Sequence, residues 1–103
     1  MRILNSLKIG GSNQVDKVLS GSTSLNFGSI AAESYLDLDI TVTGAGAGDP
    51  CLLGIPNGSV GASSIIWGFT NTNKVTVRHI NRDDTNAFDP AAGTFKVYVF
   101  KVS

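Results

Sequence analysis

Between Tyr35 and Val42 the chain alternates in strict period two, with Leu36, Leu38, Ile40 and Val42 set against Asp37, Asp39 and Thr41. Successive side chains of a strand point to opposite faces, so this pattern demands a strand with one face buried and one face wet. A helix start at Ile30-Ala31-Ala32-Glu33 is overridden by the alternation that follows. Lys74 to Ile80 repeats the pattern, with Val75 and Val77 opposite Thr76 and Arg78. Ser24 to Phe27 is a shorter run of the same kind, Val15 to Ser22 a weaker strand, and Pro50 to Ile55 a short strand suited to a sheet edge.

Two segments are apolar on both faces. Ile65, Trp67 and Phe69 share one side of a strand, with Ile66 on the other. In Thr94 to Val102, Phe95, Val97 and Val99 face one way while Tyr98, Phe100 and Val102 face the other. An antiparallel strand in a lone two-layer fold wets one face. The second apolar face therefore calls for a cover, and a neighbouring subunit is the natural one. Tyr98, Phe100 and Val102 are the expected subunit interface.

Turn chemistry separates the runs: Gly10-Gly11-Ser12-Asn13, Thr43 to Gly48, Pro56-Asn57-Gly58, Asn71-Thr72-Asn73 and Asn81 to Gly93. The expected fold is all-β, a single-domain β-sandwich of jelly-roll type with about seven short antiparallel strands. Residues 1–14 stand apart as an N-terminal arm, and residues 15–103 form the sandwich domain. The arm, carrying Ile3, Leu7 and Ile9, reads either as an edge strand or as a tether that orders on a partner.

Composition narrows the function. In 103 residues, eight basic and eight acidic side chains give a formal net charge of zero, and only 16% of residues are charged, against ~25% in an average chain. No field gathers nucleic acid or an anionic membrane, no apolar run approaches the ~18 residues of a membrane span, and a surface poor in charge suits self-association. Met1 to Ser6 lacks the apolar centre of a signal peptide, so assembly in a cytoplasm is expected.

No catalytic, cofactor or metal site is expected. His79 is the single histidine and Cys51 the single cysteine, which argues against zinc and leaves Cys51 as a small hydrophobe. No Gly-x-Ser-x-Gly elbow frames a serine. Gly44 to Asp49 lacks the Lys-Ser/Thr ending and following helix of a phosphate loop. Asp83, Asp84, Asn86 and Asp89 offer oxygens for calcium without the spacing of an EF-hand, and read as a solvated turn. Asp37 and Asp39 fall on the wet side of their strand. Trp67 and the five phenylalanines read as core and interface, with carbohydrate stacking as the other reading.

One ordered set of segments resembles a known module. It runs Val18-Leu19-Ser20, then Ser24-Leu25-Asn26-Phe27-Gly28-Ser29-Ile30-Ala31-Ala32, then Leu38-Asp39-Ile40-Thr41-Val42-Thr43-Gly44-Ala45, Gly48-Asp49 and Leu53-Gly54. It continues with Val75-Thr76-Val77-Arg78, Asn81, and Phe88-Asp89-Pro90-Ala91-Ala92-Gly93-Thr94-Phe95-Lys96-Val97. This resembles the small β-sandwich module of tailed-bacteriophage structural proteins, found in head decoration (cement) proteins and at the ends of fibres and spikes. The resemblance implies a homotrimer in the virion, made in the host cytoplasm, and brings no catalytic residue with it. The absence of a long shaft upstream favours a capsid-surface decoration protein that clamps neighbouring major capsid subunits. Arg2, Ile3, Leu4, Leu7 and Ile9 of the arm are then the expected capsid contacts. The alternative is a receptor- or glycan-binding tip of a tail fibre or spike.

Overall fold

The computed structural model describes residues 7–9 and 13–102. Among them the strands are β1 (Leu7–Ile9), β2 (Asn13–Leu25), β3 (Ser34–Thr41), β4 (Cys51–Gly54), β5 (Ser64–Asn71), β6 (Lys74–Asn81) and β7 (Gly93–Val102), and the helical content is one 3-10 turn at Asn57–Ser59. All pairing is antiparallel, in a four-stranded sheet ordered β1-β2-β7-β4 and a three-stranded sheet ordered β3-β6-β5. The chain is all-β and β-sandwich-like, because the two sheets enclose one core.

That core follows the alternation. Phe95, Val97 and Val99 of β7 and Leu25 of β2 face Ile40 of β3 and Val75 and Val77 of β6, and all seven are buried. Phe27, Ile30, Val42 and Ala45 close the ends from the connections. Each Val, Leu, Ile or Phe among them contributes roughly 1.5–3 kcal/mol when fully buried. Ile30 to Glu33 is no helix: Ile30 bridges Phe88 through two backbone hydrogen bonds, and Glu33 turns the chain into β3 with φ 52°.

The runs Val15 to Ser22 and Ser24 to Phe27 are not two strands. Residues 15–25 belong to one strand, β2, which pairs with β7 from Val15 to Leu25 with one irregularity between Val15 and Lys17, while Asn26 and Phe27 fall beyond its end. Gly21 lies within the pairing where β2 passes close against residues 40–42 at the end of β3. A Cβ at Gly21 would stand 2.6 Å from the Thr41 carbonyl oxygen. β4 takes the sheet edge expected of it, beside β7.

Of the two readings of the arm, Leu7–Ile9 adopts the edge strand, pairing with Asn13–Val15 at the start of β2. Arg2, Ile3 and Leu4 lie outside the described residues. The β5–β6 hairpin closes through Thr72 and Asn73, and Asn73 takes φ 62°, a left-handed conformation that asparagine tolerates. The connection after β3 is tied to this hairpin: Val42 N–H donates to the Asn73 carbonyl, Asn73 N–H to the Ala45 carbonyl, and Gly44 N–H to Asn73 Oδ1.

Candidate binding faces

Each sheet turns one face inward, and the outer faces differ in chemistry. On the four-stranded sheet, alternation in β7 sends Tyr98 and Phe100 outward while Phe95, Val97 and Val99 are sealed at 0–1% exposure. The register sets Tyr98 between Ser20 and Leu52 and places Phe100 beside Val18. Tyr98 is 50% exposed and Leu52 61%, Val18 is also exposed, and Phe100 is half-buried. Small residues at Ser20, Gly21 and Ser22 leave an open groove of about 450 Å³ beside Tyr98 and Lys96. Val102 ends β7 opposite Val15. The sequence placed Tyr98 and Phe100 on an outer face and did not single out Val18 and Leu52, which stand beside them only through strand order.

The outer face of the three-stranded sheet centres on Arg78. In register across β3, β6 and β5 lie Asp37, Arg78 and Trp67, flanked by the rows Tyr35–Ile80–Ile65 and Asp39–Thr76–Phe69. Arg78 Nε and Nη2 donate to the two carboxylate oxygens of Asp37, both at 2.9 Å. Its guanidinium carbon lies 4.2 Å from the Tyr35 ring centre and 5.4 Å from those of Trp67 and Phe69. Trp67 and Phe69 pack with centroids 5.3 Å apart. The side-chain hydrogen bond from Arg78 holds the Asp37 carboxyl below the usual carboxylate range, and Asp37 in turn raises Arg78. Trp67 is 43% exposed and Tyr35 52%, so Trp67 is no core residue. A second network, Lys74 and Thr76 on Asp39 with Asn71 on Thr76, continues the face towards the hairpin.

The chemistry-bearing groups elsewhere are tied into the fold. His79 points inward, fully buried between Phe27 and Phe88. Its Nε2 lies 2.7 Å from Ser64 Oγ, which also accepts the Gly61 N–H, while Nδ1 is buried without a partner. Burial lowers the His79 pKa, because the charged form is disfavoured there. Among the described residues no carboxylate bonds the His79 ring to orient this Ser–His pair as a triad would.

In the Asn81–Gly93 connection, Asp83 Oδ1 accepts the backbone N–H groups of Thr85 and Asn86, which lowers its pKa. Buried Asn81 donates to the carbonyls of Ile30 and Asn86. The acidic loop is thus a hydrogen-bonded turn, and no group of three metal-ligating side chains occurs among the described residues. Asp49 accepts from Lys101 Nζ at 2.7 Å and from Gly46 N–H, pinning the glycine-rich loop to β7. Cys51 is half-buried against the core.

Comparison with protein-family models, curated proteins and solved structures finds no match to this chain.

Proposed function

We propose that the chain is a structural protein that works by binding copies of itself and a protein lattice, as a homotrimeric decoration (cement) protein on a tailed-phage capsid. The observation that carries the self-association is the outer face of β7 and its neighbours, where exposed Tyr98, Val18 and Leu52 stand together beside the half-buried Phe100. Contiguous exposed apolar surface of this kind marks interaction sites. The virion location rests on the sequence resemblance. The jelly-roll reading is supported by nested pairing, β2 with β7 and β3 with β6, with β4 and β5 between them in sequence.

In this account a trimer grips neighbouring major capsid subunits, with Arg2, Ile3, Leu4, Leu7 and Ile9 on the lattice. Binding the assembled shell and not its loose subunits stabilises it by mass action. Three linked contacts release far more slowly than one. Light scattering of the purified protein tests the oligomer, and binding to capsids stripped of decoration tests the partner. A monomer at micromolar concentration contradicts the first part, and failure of a trimer to bind stripped capsids contradicts the second.

The second reading, a receptor- or glycan-binding tip of a fibre or spike, is favoured by the exposed Trp67 and Tyr35 around Arg78.

A further inference from the structure

The geometry points to the outer face of β3-β6-β5 as a binding platform for an uncharged saccharide, with Trp67 and Tyr35 as stacking surfaces and the Arg78–Asp37 pair as the hydroxyl-binding centre. This deepens the recognition reading of the previous section and does not depend on the trimer or the capsid.

Three features of the face select the ligand chemistry. Arg78 and Asp37 form a neutral donor–acceptor pair that is only partly used. A guanidinium has five N–H donors and a carboxylate about four lone-pair sites, while the mutual bonds engage Nε, Nη2 and one site on each oxygen. Nη1 makes no hydrogen bond among the described residues. Adjacent spare donors and acceptors match neighbouring hydroxyls, each of which both donates and accepts.

Arg78 is also flanked by exposed aromatic rings from the strands on either side of β6, Trp67 directly across on β5 and Tyr35 from the next row on β3. Strands lie ~4.8 Å apart, so positions on β3 and β5 are ~10 Å apart, about the span of two sugar rings. Sugar C–H faces pack on such rings while their edges reach the polar centre.

An apolar protein surface fits less well. Covering this centre with one would strip water from the ion pair without replacing its hydrogen bonds, which is costly. A polyol replaces those bonds in kind. Among the described residues the outer face of the four-stranded sheet has no such pair beside Tyr98 and Leu52, and there the same reasoning favours protein. Because the Arg78–Asp37 pair is internally neutral, a sulfated or carboxylated sugar gains no net attraction from it.

The full-length protein is applied to an array of neutral oligosaccharides of glucose, galactose, mannose and N-acetylglucosamine beside their sulfated and sialylated counterparts. Solution titration of the bound neutral oligosaccharide follows, by the fluorescence of Trp67, the single tryptophan. The expected result is binding to a neutral oligosaccharide, little changed between low and physiological salt. Trp67→Phe, titrated by calorimetry, weakens it several-fold, and Trp67→Ala or Arg78→Lys weakens it about tenfold or more. Phe100→Asp retains single-site affinity whatever it does to the oligomer, which separates this claim from self-association. Absence of binding to any neutral oligosaccharide overturns the proposal, as does binding confined to charged sugars and abolished by salt. A Trp67→Ala protein that is folded but altered in oligomeric mass also overturns it, since the face is then a contact between copies.

Discussion

Asp37 grips Arg78 through two parallel hydrogen bonds of 2.9 Å across adjacent strands, and Arg78 is in turn laid against the Tyr35 ring. The pair fixes a long side chain in the middle of a sheet face. Its carboxyl is lowered from 3.8 by Arg78. The folded pKa lies below the unfolded one, so the pair's contribution is present above pH 3.8 and is lost as pH falls through the folded value. A partly exposed pair of this kind contributes about 1 kcal/mol or less. Asp37→Asn should cost no more than that at pH 7, and the difference from wild type should shrink as pH falls below 3.8. Urea unfolding across that pH range measures it.

His79 has the opposite charge type and titrates in a higher window. Its folded pKa is lowered from 6.5 by burial, so the unfolded chain binds the extra proton. Stability is full above pH 6.5 and falls as pH drops below it, levelling only below the folded pKa. As His79 is the single histidine, denaturant midpoints between pH 7.5 and 5 should decline in wild type and stay nearly flat in His79→Phe. Equal slopes in both proteins contradict the assignment.

Gly21 offers a packing test. Gly21→Ala places a methyl group 2.6 Å from the Thr41 carbonyl oxygen and should destabilise by roughly 1–3 kcal/mol, as overpacking does. Gly58→Ala, where nothing lies within 4 Å, should change stability by less than about 0.5 kcal/mol. Thermal unfolding of the two variants compares them directly.

Alternation carried the inward sets of β6 and β7, because period two assigns faces without knowing the partner strand. At β3 it holds for Ile40 and for Val42 just beyond the strand, while Leu38 is half-buried and Leu36, expected on the buried face, is exposed. It also placed Asp37 and Asp39 in solvent and Tyr98 and Phe100 on an outer face. It divides β2 at Thr23, between the runs Val15 to Ser22 and Ser24 to Phe27, because residues 20–24 carry no apolar beat to show that the strand continues, and the close approach of Thr41 that makes glycine necessary at Gly21 is a tertiary contact. The Arg78 platform was illegible for a related reason. Asp37 and Arg78 are 41 residues apart, and only the register of β3 on β6 and β5 on β6 brings Tyr35, Arg78 and Trp67 into one patch. Trp67 by residue type reads as core and interface, and the strand phase it shares with Ile65 and Phe69 turns it out of the core.

The two faces of β7 test the central claim, that this chain works by self-association. Phe95 is fully buried and Phe100 half-buried on the opposite side. Light scattering with circular dichroism on wild type, Phe100→Asp and Phe95→Asp is the most direct measurement. The account predicts a wild-type trimer at micromolar concentration and a folded monomer for Phe100→Asp, because an unpaired charge is not desolvated at a contact. It predicts an unfolded chain for Phe95→Asp. A monomeric wild type, or a Phe100→Asp protein that remains a trimer, contradicts it.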